Sequence, residues 1–223
     1  MTMTTLSPLE QSRFNMIEQQ IRPWDVLEQS VLEQLVAVKR EQFLPPALEA
    51  FAFVDMETPL PAGQAMLSPR VEARALQDLH VQKHEKVLEI GAGSGYMAAL
   101  LAYRAKQVLS LEIVPELVEL ARANLRRAGI NNVEVRLADG SQGAAADGPF
   151  DVIVLSGSVA EVPPAILSQL KIGGRLFAVV GGDPVMRATF ITRTGEAAYG
   201  TQQPWDTEAP RLVNFPAPSA FRF

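Results

Sequence analysis

A loop of closely spaced glycines follows an apolar strand in the central part of the chain. The strand runs from Val87 to Ile90 and leads directly into Gly91, Gly93 and Gly95, after which a helical stretch begins. A glycine has no Cβ, so a ligand can approach the backbone closely. The spacing is G-x-G-x-G, not the G-x-G-x-x-G of dinucleotide loops, and no Gly-Lys-Ser/Thr follows, which excludes a Walker loop. The pattern predicts a ligand site at this turn.

Acidic residues close the next two predicted strands. Glu112 lies about 20 residues after Gly91, where a carboxylate can accept hydrogen bonds from a ribose diol. Asp139, followed by Gly140, ends the third strand, where its side chain can accept a bond from an adenine amino group. Together with the glycine loop, these acids predict a ligand that contains adenosine. The alternative is that the glycines only make a tight turn and that both acids are solvated.

Strands and helices alternate at short intervals around these residues. Such alternation is typical of an α/β fold, a mostly parallel sheet with helices on both faces. Because ligands of open α/β sheets bind beyond the carboxyl ends of the strands, the glycine loop and both acids fall on the ligand-binding edge. The predicted strands are residues 86–90, 107–111, 133–137, 150–155 and 174–180, and the predicted helices are residues 94–105, 115–128 and 163–170.

The segments before and after the alternating strands and helices have different patterns. Residues 1–80 read as helices separated by prolines, with one helix ending at Pro23 and a second capped by Asp25, and they predict an N-terminal helical extension. Residues 81–200 form the predicted core. The prolines of residues 201–223 predict an extended C-terminal tail rather than a further domain. One structural domain is expected overall.

Composition excludes several classes of function. The 223 residues include no cysteine and only two histidines, so a thiol nucleophile is excluded and no metal site is expected. The net charge of -5 disfavours a nucleic-acid partner, which requires a basic face. There is no apolar run long enough to span a membrane and no signal peptide pattern, so we expect a cytoplasmic protein with no membrane contact. Nothing in the sequence indicates the oligomeric state.

Residues 87–102 (VLEIGAGSGYMAALLA) resemble the first motif of class I S-adenosylmethionine-dependent methyltransferases, which have a Rossmann-like sheet. In detail the chain is similar to the protein-L-isoaspartate O-methyltransferase family. Further similar segments are residues 16–22 (MIEQQIR), 38–45 (VKREQFLP), 51–55 (FAFVD), 149–154 (PFDVIV) and 173–176 (GGRL).

The resemblance implies that S-adenosyl-L-methionine is the cofactor and that the acceptor is a protein or peptide carboxylate. The glycines would line the methionine end, Glu112 would hold the ribose, Ile113 would contact adenine, and Asp139 would bind the adenine amino group. The cofactor-binding residues implied are Glu89, Gly91, Ala92, Gly93, Ser94, Gly95, Glu112, Ile113, Asp139 and Gly140.

The chain departs from the family in one loop. Where the family reads Gly-Gln-Thr-Ile-Ser-Gln-Pro, residues 63–69 read Gly-Gln-Ala-Met-Leu-Ser-Pro, so Ala65 and Leu67 replace two hydroxyls expected near the transferred methyl. Ser68 is one position late, and Arg70 replaces an aromatic residue. Leu67, Ser68 and Arg70 are the candidate catalytic residues. Arg70 could receive an anionic substrate, or it could be a surface arginine on the first turn of a helix.

Three hypotheses follow. The chain is a carboxyl methyltransferase acting on isoaspartyl residues by in-line displacement, a methyltransferase of the same scaffold whose acceptor is a small molecule or another protein site, or a non-catalytic S-adenosylmethionine-binding protein. The similarity over most of the chain favours the first hypothesis. The altered loop favours the second, because a buried substrate carboxylate needs hydrogen-bond donors.

Overall fold

The computed structural model describes residues 6–182 and 185–216. Residues 217–223 of the expected tail, like residues 1–5 of the expected extension, lie outside the described part. The strands are β1 (Thr58–Pro59), β2 (Ala65–Met66), β3 (Lys86–Ile90), β4 (Gln107–Glu112), β5 (Val133–Leu137), β6 (Phe150–Val159), β7 (Leu170–Gly182), β8 (Val185–Arg193) and β9 (Tyr199–Asp206). The α-helices are α1 (Pro8–Met16), α2 (Gln29–Ala37), α3 (Pro69–Leu79), α4 (Tyr96–Arg104), α5 (Pro115–Arg127) and α6 (Pro164–Leu167).

Seven strands form one sheet in the order β5-β4-β3-β6-β7-β8-β9, and β1 pairs with β2 in a separate two-stranded ladder. β3 to β7 run parallel, whereas β8 is antiparallel to both of its neighbours. The chain leaves β3 toward β4 and β5, then returns to pair β6 with the other side of β3. This reversal opens a crevice at the carboxyl ends of the central strands.

Alternate residues of the central strands enter two hydrophobic cores on opposite faces of the sheet. In β3, Val87 belongs to the larger core, whereas Leu88 and Ile90 belong to the smaller one. The larger core also contains residues of α1, α2 and α3, so the N-terminal region and the sheet share one apolar interior. The predicted α/β fold class, with a mostly parallel sheet and helices on both faces, is confirmed.

The N-terminal region differs from its prediction at the second helix. Asp25 does not cap it: this residue has a left-handed φ of 60° and ends the preceding 3-10 turn, and α2 begins at Gln29. The reason lies in α3, where the Gln77 side-chain oxygen accepts hydrogen bonds from the backbone amides of Leu27 and Glu28. The Gln77 amide group also donates to the Asp25 carbonyl at 2.8 Å. The side chain of a residue far away in the sequence therefore supplies the hydrogen-bond partners of this backbone segment.

The boundary expected at residue 201 falls inside a strand. β9 extends to Asp206 and pairs with β8, so the sheet continues into the segment predicted to be a tail. The alternation is weak because β9 is an edge strand whose residues are exposed except for Trp205. After β9, the chain runs along Ser158, whose amide donates to the Pro210 carbonyl and whose carbonyl accepts from Leu212. None of the helices in residues 6–182 and 185–216 is both long and apolar enough to cross a membrane.

Gly95 and Gly129 provide a matched test of helix packing. Both have positive φ, 85° and 71°, but a Cβ on Gly95 would lie 3.2 Å from backbone atoms of Ala121 in α5, whereas one on Gly129 would meet nothing within 4 Å. We expect Gly129→Ala to cost about 1–2 kcal/mol of unfolding free energy from backbone strain. Gly95→Ala should cost about 1–3 kcal/mol more because α4 and α5 must separate. Urea unfolding measures both losses of unfolding free energy. Equal losses would show that an added Cβ on Gly95 makes no unfavourable contact with Ala121.

Candidate active site

A pocket opens at the carboxyl ends of the central strands, where the sheet reversal predicts one. Strand-end residues form its floor and one wall, and the segment after β9 forms the opposite wall. The strand-end residues are Ile90, Gly91, Gly93, Leu111, Glu112, Ile113, Ala138, Asp139, Gly140 and Ser156. The other residues that line this sheet-edge pocket are Gln64, Ala65, Leu117, Pro210, Arg211, Leu212, Val213 and Phe215.

The glycine loop divides between the pocket and a helix contact. Gly91 and Gly93 line the pocket, and an added Cβ would meet Leu212 at 3.0 Å or Leu60 at 3.2 Å, respectively. Gly95 lies against Ala121 of α5 instead. The resemblance implies that Gly95 binds the cofactor. The structure places Gly95 at the start of α4, where its close neighbour is the adjacent helix rather than the pocket.

Glu112 ties the ends of β3 and β4 together. One carboxylate oxygen accepts a hydrogen bond from the Gly93 amide at 2.9 Å, and the other accepts from the Val114 amide at 3.0 Å. The residue is 5% exposed, yet it lines the pocket together with Ile113. Each carboxylate oxygen keeps a second lone pair that can accept from a ligand hydroxyl.

Asp139 connects the end of β5 to the C-terminal segment. Its carboxylate accepts from the Ser141 amide at 2.9 Å and from the Asn214 side-chain amide at 2.8 Å. These bonds, that of the Ser141 backbone above all, lower the pKa of Asp139 below its ordinary value. The next residue, Gly140, passes so close to β3 that a Cβ would lie 2.4 Å from the Ile90 side chain. Asp139 is therefore held as a carboxylate at the pocket wall.

Acidic side chains outnumber basic ones in the lining of the pocket. Arg211 is the only cationic side chain among the described residues that line it, and Arg211 donates to the Gly181 carbonyl at 2.9 Å. Glu112 and Asp139 both face the pocket. Phosphate groups bind where cationic side chains or several amides converge, so this wall suits a phosphate-free ligand that carries positive charge.

Glu89 lies beneath the pocket floor and does not line it. This side chain is fully buried, and its carboxyl group accepts hydrogen bonds from the hydroxyls of Ser110 at 2.5 Å and Ser156 at 2.9 Å. Burial raises the pKa of Glu89 to about 8, although both hydroxyl bonds oppose the rise. Glu89 therefore acts on the pocket through Ser156, which reaches the pocket surface.

A small void lies beside the glycine loop, and both apolar and polar side chains line it. Loop residues Ala65, Met66 and Leu67 form one wall. The opposite wall comes from Gly91, Ala92, Gly93, Ser94, Tyr96, Met97 and Ser156, and Glu72 of α3 completes the lining. The void shares Ala65, Gly91, Gly93 and Ser156 with the sheet-edge pocket, so the two cavities meet at the glycine loop.

A buried arginine holds the loop wall of the void. Arg40 donates to the Leu67 carbonyl at 2.8 Å, forms a salt bridge with Glu72, and lies 5.1 Å from the Tyr96 ring centre. Arg40 and Glu72 are 1% and 2% exposed. Burial raises the pKa of Glu72 to about 7, against the lowering effect of Arg40. Because a buried charge requires a partner, this pair holds the N-terminal region, the loop and α3 together.

Two of the three candidate catalytic residues do not face the void. Leu67 lines it, but Ser68 and Arg70 line a different cavity on the far side of the loop. Ser68 begins α3 as its N-cap, which turns its side chain away from Leu67. Arg70 pairs with Asp55 at 3.2 Å and lies 4.0 Å above the Trp24 ring, so its guanidinium already has partners within the protein.

Several residues at these cavities were not predicted from the sequence. Ser156 ends the apolar run of β6 on the same edge as Glu112 and Asp139, so the rule that located those acids could have located it. Leu212, Asn214 and Phe215 follow β9 in a proline-rich stretch without periodicity. No local pattern indicates that this stretch crosses the sheet-edge pocket.

Most of the chain matches a known protein family. Residues 11–203 match the family described as protein-L-isoaspartate(D-aspartate) O-methyltransferase. The chain belongs to this family. The family resemblance expected from residues 87–102 is therefore confirmed, and the match extends from α1 into β9.

Two relatives cover most of the chain. The protein-L-isoaspartate O-methyltransferase of Methanoculleus marisnigri is 40% identical over 174 residues, 78% of this chain and 79% of that protein. That of Koribacter versatilis is 38% identical over 181 residues, 81% of each chain. A crystal structure described as a protein-L-isoaspartate O-methyltransferase from Plasmodium falciparum, in complex with S-adenosyl-L-homocysteine, shares the fold. It has a TM-score of 0.79 and 18% identity, and the match covers 93% of this chain and 99% of that one.

Glu112 provides the first test of the pocket. A hydrogen bond to a charged group contributes about 1.5–3 kcal/mol, so Glu112→Ala should weaken binding of S-adenosyl-L-homocysteine about ten- to a hundredfold. Calorimetric titration measures this, with NAD as a ligand that should give no signal. Glu116→Ala, an exposed carboxylate in the first turn of α5, is the control and should leave affinity unchanged. Unchanged affinity in Glu112→Ala would contradict its place in the site.

The buried carboxyl group of Glu89 should make the free energy of unfolding depend on pH. The folded protein keeps Glu89 protonated up to about pH 8, whereas the unfolded chain releases this proton near its ordinary pKa of 4.5. The wild type therefore loses stability as pH rises between these values, by up to about 1.4 kcal/mol per pH unit from this residue. Glu89→Gln, which stays neutral, should show a shallower loss in urea unfolding between about pH 5 and pH 8. Exposed Glu134→Gln is the control, and parallel profiles for wild type and Glu89→Gln would refute the assignment.

Proposed function

We propose that this protein transfers a methyl group from S-adenosyl-L-methionine to the side-chain carboxylate of isoaspartyl residues in proteins or peptides. The observation that carries the proposal is the meeting of two cavities at Gly91 and Gly93. On one side lies an acidic pocket suited to a nucleoside, and on the other a small void lined by apolar and polar side chains. Family membership supports the reaction class and the cofactor.

The residues of the sheet-edge pocket fit this cofactor. Glu112 and Asp139 offer acceptors to a ribose diol and an adenine amino group, and Ile113 offers an apolar surface to the adenine ring. Gly91 and Gly93 let the backbone line the pocket closely, since a Cβ at either position would press against Leu212 or Leu60. The lack of a phosphate-binding arrangement among these residues agrees with a cofactor that has no phosphate. Ala92 and Ser94 line the void rather than this pocket, so we assign them to the methionine end.

The chain's own contribution to catalysis is placement and exclusion of water. When bound, the cofactor supplies a methyl group activated by its sulfonium. An acceptor carboxylate is already ionised near neutral pH and needs no general base. Ala65, Met66 and Leu67 cover the void, so they exclude water and hold the acceptor in line with the glycine loop. Arg40 positions this cover through the Leu67 carbonyl.

The acceptor is proposed to be a protein or peptide carboxylate. That the protein resides in the cytoplasm and has no nucleic-acid partner remains a prediction from composition alone.

The altered loop gives a direct test of the acceptor. Each missing donor to a buried carboxylate costs about 1–3 kcal/mol. Wild-type methyl transfer to an isoaspartyl peptide should therefore be slow, and Ala65→Thr with Leu67→Ser should raise it about ten- to a hundredfold. Radiolabelled methyl transfer at saturating cofactor measures both rates. The same peptide with an ordinary aspartyl residue is the control substrate and should remain unmethylated.

One outcome of that experiment would contradict the proposed function, and another would contradict only the prediction about the loop. If neither protein methylates the isoaspartyl peptide while both bind S-adenosyl-L-homocysteine, the acceptor is a different group. If the wild type is already fast and the double variant is no faster, the loop hydroxyls are not what limits the reaction, and other donors serve the carboxylate.

A further inference from the structure

One polar side chain stands where the two cavities meet. The residues that line both the sheet-edge pocket and the small void are Ala65, Gly91, Gly93 and Ser156. Of these, Ser156 alone has a polar side chain. Its Cβ lies 3.8 Å from the position that a Cβ on Gly91 would take, so the serine stands directly beside the glycine loop. Under the proposed function the methyl group is transferred at this junction, and therefore next to the Ser156 hydroxyl.

The carboxyl group beneath Ser156 has no cationic partner in the described part of the chain. Glu89 is fully buried, and its side chain forms hydrogen bonds only with the hydroxyls of Ser110, at 2.5 Å, and Ser156, at 2.9 Å. A carboxyl group removed from water without a cation beside it favours its neutral form. Burial raises the pKa of Glu89 to about 8, and the charges of Glu112 in β4 and Glu72 in α3 add to the rise. Glu89 therefore carries a proton near neutral pH.

The position of the Glu89 proton follows from the partners of its two oxygens. A neutral carboxyl group has one O–H donor, and its other oxygen only accepts. Ser110 is fully buried, and Glu89 is the only partner of its hydroxyl among the described residues, so this hydroxyl has to donate to Glu89 Oε2. The other oxygen, Oε1, then carries the proton and donates it to the Ser156 oxygen. The hydroxyl proton of Ser156 is consequently free to point into the junction of the cavities.

We propose that the Ser156 hydroxyl donates a hydrogen bond to one oxygen of the acceptor carboxylate, and that Glu89 is the positioning residue that leaves this donor free. This inference rests on the proposed function, because it assumes a carboxylate at the junction. The bond holds one oxygen and leaves the other free to attack, and Ser156 keeps its proton because an ionised acceptor needs no base. Ser156 thus supplies part of the hydrogen bonding that the loop lacks at Ala65 and Leu67.

Removal of the hydroxyl tests the contact. Ser156→Ala should lower kcat/KM for methyl transfer to an isoaspartyl peptide about ten- to a hundredfold, because a hydrogen bond to a charged group is lost. Ser156→Thr, which keeps a hydroxyl, should retain most of the rate, and Ser168→Ala, which removes an exposed hydroxyl elsewhere, is the control. Calorimetric titration should give Ser156→Ala an unchanged affinity for S-adenosyl-L-homocysteine. An unchanged kcat/KM, or a loss of cofactor affinity as large as the loss of rate, would overturn the proposal.

The pH dependence of the rate tests the positioning role of Glu89. When Glu89 loses its proton near pH 8, its carboxylate accepts from Ser156 and draws the hydroxyl proton away from the acceptor. Wild-type kcat/KM should therefore fall between about pH 7 and pH 9. Glu89→Gln cannot ionise and its amide can still donate to Ser156, so its kcat/KM should fall less over the same range. A purely structural role predicts parallel profiles for the two proteins, and that result would overturn the role of Glu89.

Peptide binding distinguishes a failure of this inference from a failure of the proposed function. Fluorescence anisotropy of a labelled isoaspartyl peptide, with S-adenosyl-L-homocysteine present, reports the contact with Ser156 whether or not the peptide is methylated. Weaker binding to Ser156→Ala, without methylation by either protein, would support the contact and refute isoaspartyl transfer. Methylation with equal rates and equal affinities in wild type and Ser156→Ala would refute the contact and leave the proposed function standing. A wild type that neither binds nor methylates the peptide would overturn both.

Discussion

The reversal of strand order beside β3 is the constraint on which the site depends. Because β4 and β6 pair with opposite sides of β3, the helices that follow β3 and β6 depart on different sides, and a crevice remains at the carboxyl edge. Glu112, Asp139 and Ser156 reach this crevice from the carboxyl ends of three different strands. The bond from the Gly93 amide to Glu112 joins two of these strand ends directly. The glycine loop is consequently held in place before any ligand arrives.

The N-terminal region is fastened to this framework by buried charge. The salt bridges Arg13–Glu41 and Arg40–Glu72 are both almost completely buried. A buried ion pair adds little net stability, but removal of one partner leaves an uncompensated charge and is strongly unfavourable. The loop therefore has one favoured position relative to α3. The loss of two loop hydroxyls leaves this attachment unchanged, because Arg40 binds a backbone carbonyl rather than a side chain.

The C-terminal segment completes the pocket in a way that joins cofactor binding to the sheet edge. It is anchored where Ser158 pairs with Pro210 and Leu212, and from there Leu212 reaches the glycine loop and Asn214 reaches Asp139. The same segment begins with Glu208, which lines a further cavity together with Ser68 and Arg70. One stretch of about ten residues thus contacts both that cavity and the region proposed for the cofactor.

The sequence alone determined the α/β class, the glycine loop and the placement of Glu112 and Asp139, because these follow from local patterns: apolar strands, the residues that end them and the edge they share. The tertiary structure decided what depends on contacts between distant segments. Gln77 displaced the start of α2, the exposed edge position of β9 hid it from the periodicity, and the close approach of α5 made Gly95 a packing residue. Ser68 and Leu67, adjacent in the chain, face different cavities because the helix cap turns the backbone between them. No local pattern encodes that choice, since it depends on which surfaces pack against each side of the loop.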